Sequence, residues 1–171
     1  MKYRTIVADP PWAYRSAAPK AAAGKHYGTM PIEAIMDLPV GDWAAPDAHL
    51  WVWATNGLME NAYRVVRAWG FEPITLVTWC KKQPGVGYYL RNNTEHCILA
   101  SRGKPIVPAH KPLSTWFVWP RARHSEKPAA FYDLVEQVSP GPYLDEFARV
   151  HRFNWDAWGN EVYCPPHLDG V

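Results

Sequence analysis

A chain of 171 residues has the usual size of one domain and can bury a core without disulfide staples, and none of its stretches approaches the roughly 20 apolar residues of a membrane helix. Met1-Lys2-Tyr3-Arg4 leads into a strand-like run rather than a signal peptide, and Cys80, Cys97 and Cys164 are an odd set without a C-x-x-C pair, which argues against a disulfide framework or a structural zinc and fits a reducing cytoplasm. The formal charge of +2 hides an asymmetry: from Lys81 to Lys127 nine Lys and Arg face two acids, a local +7 that leaves the rest at −5 and fits either a solvated basic face or a surface that attracts polyanions.

Thr5-Ile6-Val7-Ala8 is an apolar, largely β-branched run bounded by Asp9 and two prolines, which predicts a buried strand ending at Asp9. Residues 14–27, rich in Ala, Ser, Gly and Lys and without a period, predict a loop that could act as a lid. A short helix is expected over Pro31–Leu38, with Thr29 as its cap. His49–Ala54 reads as a strand; Leu58, Ala62, Val65, Val66 and Trp69 then recur at helical spacing up to Gly70. Further strands are expected over Ile74–Trp79, Glu95–Ser101 and Thr115–Trp119, the first two joined by the basic loop Lys81–Thr94. Ser125 and Pro128 open a helix carrying Phe131, Leu134, Val135 and Val138, and Tyr143–Arg149 is the last clear strand. Strands alternating with helices predict one α/β domain over residues 1–171, with ligands bound outside the carboxyl ends of the strands, where Asp9 lies.

Asp9-Pro10-Pro11-Trp12 makes poor regular structure, because consecutive prolines remove two backbone donors. It suits a rigid shelf for a planar amine. Asp9 offers a carboxylate and Pro10 a carbonyl that can accept from the amine and stabilise charge developing on nitrogen, while Trp12 offers a face for a stacked base. Taken alone, the motif fits equally well a loop cap followed by a core tryptophan. In the basic segment Tyr88, Tyr89, Trp116 and Trp119 interleave with the cations, as base stacking combined with phosphate contact requires.

The chain resembles the MT-A70 family of S-adenosylmethionine-dependent N6-adenine methyltransferases along nearly its whole length. The resemblance runs through Ala8-Asp9-Pro10-Pro11-Trp12, Tyr27-Gly28-Thr29-Met30, Leu50-Trp51-Val52-Trp53, Trp69-Gly70-Phe71-Glu72, Glu95-His96-Cys97, His124-Ser125-Glu126-Lys127-Pro128, Phe147-Ala148-Arg149 and Asn154-Trp155 with Gly159-Asn160. It implies a Rossmann-like methyltransferase sheet with helices on both faces, in a permuted order with the D-P-P-W strand first. It further implies that Asp9, Pro10, Pro11 and Trp12 form the catalytic shelf. Asp9, Lys127, Arg149, His151, Asn160 and Glu161 would hold S-adenosylmethionine. Tyr27, Lys81, Lys82, Arg91, Glu95 and His96 would meet the substrate, and no metal is implied. Longer members carry another strand and an acidic turn before the D-P-P-W strand, so part of the adenosine pocket is expected from elsewhere in this chain. Arg152 stands where some relatives have Asn, and Glu161 where they have Gln; a carboxylate still accepts from ribose hydroxyls.

The expected partner is nucleic acid, DNA favoured over RNA, and the expected reaction is direct displacement onto N6. Methylation of RNA uses the same residues and is the competing enzyme reading. A non-catalytic nucleic-acid-binding partner subunit is the other, since the family pairs active with inactive chains in heterodimers; homodimers are equally compatible.

Overall fold

The computed structural model describes residues 2–13, 28–85, 89–104, 106, 113–120 and 126–159. Among them, seven strands form one sheet: β1 (Tyr3–Ala8), β2 (Ala44–Ala54), β3 (Glu72–Cys80), β4 (Thr94–Arg102), β5 (Trp116–Val118), β6 (Tyr143–Glu146) and β7 (Trp155–Trp158). Their order is β5-β3-β4-β2-β1-β6-β7, and all run parallel except β4, which is antiparallel to both β2 and β3. The D-P-P-W strand therefore lies inside the sheet, between β2 and β6, with its carboxyl end facing the same way as those of β2, β3, β5, β6 and β7.

Helices cover both faces, as the resemblance implies. On one side, α1 (Ile32–Met36), α2 (Val40–Trp43) and α3 (Met59–Ala68) bury Ile35, Val40, Ala62, Val65 and Val66 against Ile6, Ala8, Leu50, Val52 and Ile98. On the other, α4 (Ala129–Val138) buries Phe131, Leu134 and Val135 against Val7, Trp51, Trp53, Val77, Trp79, Cys97 and Leu99. The period-2 alternation of β1, β2 and β4 sends neighbouring side chains into opposite layers, so both helical layers are served by the same strands. Phe131 is the hub of the second layer, with its ring 4.7 Å from Trp53 and 5.9 Å from Trp51, both edge-on.

Several expectations shift at their edges. β2 begins five residues before His49; Pro46 has no N–H for the ladder and sits where the β1–β2 register is irregular, which masks the strand in the sequence. α1 opens at Pro31 without a side-chain cap, so Thr29 does not cap it, and Ser125 lies outside the described residues. β6 stops at Glu146 rather than Arg149, because Phe147 turns into the left-handed region with φ 65°. Phe147 and Ala148 instead donate their N–H groups to the Trp158 carbonyl. Gly159 packs against that turn so closely that a Cβ would lie 3.0 Å from the Ala148 nitrogen. The sequence reading missed β7 and α2. β7 has only four residues, but its buried Trp155 and Ala157 alternate as a strand should.

Candidate active site

Asp9 leaves β1 at the carboxyl edge, its N–H directed at the Glu146 carbonyl of β6 at 3.4 Å. The prolines that follow are fastened to the chain returning at Met30. Met30 donates its N–H to Pro11 O at 2.8 Å, and Ala13 donates to Met30 O at 3.3 Å. Pro10 O accepts the N–H of Trp12 at 2.8 Å, which leaves that carbonyl a second lone pair. The shelf is thus held by backbone bonds on both sides.

Trp12 is only 6% exposed, lies within the core layer of α1 and α3, and donates its indole N–H to the Trp53 carbonyl at 3.0 Å. The expectation that it offers a face to an extruded base is corrected here: its ring is core, and its contribution is to anchor the shelf.

From Asp9 onward two acids and two cations alternate in the order Asp9, Lys127, Glu95, Lys81. Lys127 Nζ donates to Asp9 Oδ2 at 2.6 Å and lies 3.6 Å from Glu95 Oε2, while the other oxygen of Glu95 accepts from Lys81. Indoles wall the two ammonium groups, with Lys127 5.2 Å from the Trp53 ring centroid and Lys81 4.5 Å from that of Trp79. Burial works against the Lys127 charge, but Asp9 and Glu95 outweigh it and hold the ammonium above its ordinary pKa. Burial also pushes Glu95 up, and here the Lys127 and Lys81 ammonium groups win, keeping the carboxyl below its usual range.

Next to it a crevice opens between the ends of β1 and β6, lined by Asp9, Lys127, Asp145, Phe147, Arg149 and Arg152 among others. Tyr132 of α4 donates to Asp145 Oδ2 at 2.8 Å, and the Arg152 guanidinium stacks 4.1 Å above the Tyr132 ring. Burial raises the Asp145 carboxyl to about 7, and the Tyr132 hydrogen bond offsets only part of that. A zwitterionic amino-acid tail fits this donor set: Lys127 and Arg149 suit its carboxylate, Asp9 and Asp145 its ammonium. The methionyl end of S-adenosylmethionine is such a tail.

Of the residues singled out in the sequence, the structure brings Asp9, Lys81, Glu95 and Lys127 into one cluster and sets Arg149 on the crevice wall. Lys82 and Arg91 are exposed beyond it. His96 is separated from Glu95: it faces the α3 side of β4, hydrogen-bonded at 3.0 Å to Thr78, and burial keeps its imidazole below the ordinary pKa despite Glu95. His151 is exposed and is not part of the crevice lining. Tyr27, Asn160 and Glu161, and the lid expected over 14–27, lie outside the described residues. The sequence reading missed Asp145, Tyr132, Trp53 and Trp79. The signal for Asp145 was present: an acid near the end of an apolar strand, where buried carboxylates are scarce unless they serve a site.

A family model described as MT-A70 matches residues 3–161. The type II methyltransferase M.MunI of Mycoplasma sp is 29% identical over 94% of this chain and 78% of its own length. The human N(6)-adenosine-methyltransferase catalytic subunit METTL3 is 27% identical over 99% of this chain, and the Drosophila melanogaster N(6)-adenosine-methyltransferase MT-A70-like protein 28% over 99%. This chain spans 29% and 28% of the lengths of those two relatives. With a family model covering nearly all of it and the D-P-P-W shelf beside a crevice suited to an amino-acid tail, the chain belongs to the MT-A70 family of N6-adenine methyltransferases, whose methyl donor is S-adenosylmethionine.

Proposed function

We propose that this chain methylates the N6 amine of adenine in DNA by direct displacement, with Asp9 and the Pro10 carbonyl holding the amine and Lys127 and Arg149 holding the methionyl carboxylate. The observation that carries this reading is the Lys127–Asp9 ion pair, set between the crevice and the basic loop after β3. One lysine thereby touches both halves of the reaction. S-adenosylmethionine, when bound, would supply an activated methyl group for displacement by the amine, and the proton the amine gives up would leave by way of the Asp9 carboxylate.

Every other task falls to the protein. Lys127, which pairs with Asp9 in the structure, would hold the cofactor carboxylate and so leave Asp9 to accept a hydrogen bond from the amine. Pro10 O accepts the second amine hydrogen through its remaining lone pair, and the two acceptors favour a pyramidal nitrogen aimed at the methyl. Tyr27 is proposed to close over the base, and Asn160 and Glu161 to complete the cofactor end. Lys82 and Arg91 supply phosphate contacts.

DNA is favoured over RNA because, of the three relatives compared, the type II methyltransferase is the one this chain spans over most of its length. An intact Asp9, Lys127 and Arg149 favours an active chain over a silent partner subunit. The test is methyl transfer from labelled cofactor to DNA and RNA oligonucleotides of the same sequence. We expect labelled DNA, with RNA at least about tenfold slower, a difference of about 1.4 kcal/mol in the barrier. Faster transfer to RNA would replace the DNA assignment; transfer to neither would remove the reading.

A further inference from the structure

A second cavity, of about 300 Å3, opens on the opposite side of the ion cluster, bounded by Lys82, Gln83, Val118, Trp119 and Pro120. We propose that it is the subsite for the nucleotide adjacent to the target adenine, and that it sets the sequence context in which the enzyme works. This rests on the proposed function above.

Position is the first argument. The crevice lies toward β1 and β6, whereas this cavity lies beyond the carboxyl ends of β3 and β5, at the far end of the sheet order. Asp9, Lys127, Glu95 and Lys81 stand between them. Lys81 belongs to the cluster and Lys82, the next residue, to the cavity wall, while Asp9 lies three to four strand spacings from the cavity, about 14–19 Å, a span that an extruded nucleotide and its neighbour can cover. A nucleic acid with its target amine at Asp9 brings a flanking nucleotide here without leaving the sheet edge.

Chemistry is the second. The Trp119 ring is fixed in orientation by Phe117, stacked on it at 4.5 Å and 9°, and the Trp119 carbonyl accepts the indole N–H of Trp79 at 2.9 Å. Trp79 in turn carries the Lys81 ammonium on its face. The cavity wall is thus coupled to the catalytic cluster through one side chain. An aromatic plane beside Val118 and Pro120 suits a flat base, and Lys82 suits its phosphate. The Gln83 amide offers both a donor and an acceptor to a base edge, the combination that discriminates bases. A cavity of this size sits at the small end of ligand sites and fits a single nucleotide better than a larger molecule. Lys82 in the cavity wall favours an anionic occupant.

The experiment uses a DNA library with one adenine and all bases at the neighbouring positions, scored by sequencing of N6-methyladenine, with wild type, Gln83→Ala, Trp119→Ala and Trp119→Phe. Wild type should prefer some neighbours about tenfold or more, the scale of one base-edge contact, and Gln83→Ala should flatten that preference at one position. Trp119→Ala should raise KM about tenfold with kcat little changed, as expected for a lost stacking contact, and Trp119→Phe should recover most of it. Calorimetry should find cofactor affinity unchanged in all three variants. Should Trp119→Ala fail to fold, Gln83→Ala, on an exposed loop, decides the question alone. Wild type that methylates without neighbour preference, or an unchanged profile in Gln83→Ala, overturns the subsite and leaves the adenine clamp standing. Wild type that methylates no nucleic acid takes both down.

Discussion

Lys127 is held by two carboxylates and an indole, and removing it would strand Asp9 beside Glu95 with Lys81 as the nearest remaining cation in the cluster. We expect Lys127→Met to weaken cofactor binding at least about tenfold by calorimetry, the loss of a charge-assisted contact; unchanged affinity would take Lys127 out of the cofactor site. Glu146 poses a different question. Its side chain is fully buried, no group among the described residues hydrogen-bonds to its carboxyl, and burial, with the neighbouring Asp145, raises it to about 8. The folded protein keeps this acid protonated where the unfolded chain, with a pKa near 4.5, has released it. Stability from this group is therefore complete below about pH 4.5 and is lost as pH rises toward 8, by about 1.4 kcal/mol for each unit within that window. Glu146→Gln cannot ionise, so its melting temperature should exceed that of wild type by several degrees at pH 8 and by much less at pH 5. An equal difference at both pH values would show that Glu146 finds a partner for its charge.

At the scale of elements, the site depends on β4 running against its neighbours. Because it is antiparallel to β2 and β3, its head, not its tail, reaches the carboxyl edge, and that delivers Glu95 to Lys127 and Lys81. α4 supports the cluster from below through Phe131. Phe131→Ala should cost about 3–5 kcal/mol in denaturant unfolding, the usual cost of truncating a packed aromatic; a loss under about 1 kcal/mol would mean that the layer repacks. The sequence made the long elements legible because hydrophobic periods of 2 and 3.6 are strong over nine or ten residues, as in β4, α3 and α4. It was weak for β7 and α2, where four residues carry too little pattern, and for β2, where Pro46 interrupts a strand that bulges around it. In the shelf, the prolines announced rigidity, and the backbone bonds to Met30 are its source. What the sequence could not reveal was that Trp12 turns inward, since an aromatic after two prolines serves a core as readily as a ligand.

Across the whole molecule, the crevice beside Asp9, the ion cluster and the second cavity follow one another along the carboxyl edge of a single sheet. In the sequence Asp9 stood out by its place between a buried strand and two prolines, whereas Lys127 stood out only through the family resemblance, since alone it reads as an ordinary surface charge. The candidate site was illegible where topology alone creates the neighbourhood, as for Asp145 with Tyr132, and for Glu95 apart from His96. Lys82 and Arg91 stand on the same loop, so DNA binding should weaken steeply with salt, and Lys82→Ala should reduce the slope of log affinity against log salt by about 0.7–0.9; a flat wild-type response would exclude phosphate contacts. The most direct measurement is mass-spectrometric detection of N6-methyladenine in DNA incubated with S-adenosylmethionine and either wild type or Asp9→Asn. We expect the modified base with wild type and a drop of about a hundredfold or more in the variant, the scale of losing the carboxylate charge that faces the nitrogen as positive charge develops on it. Equal methylation by Asp9→Asn would contradict the carboxylate clamp.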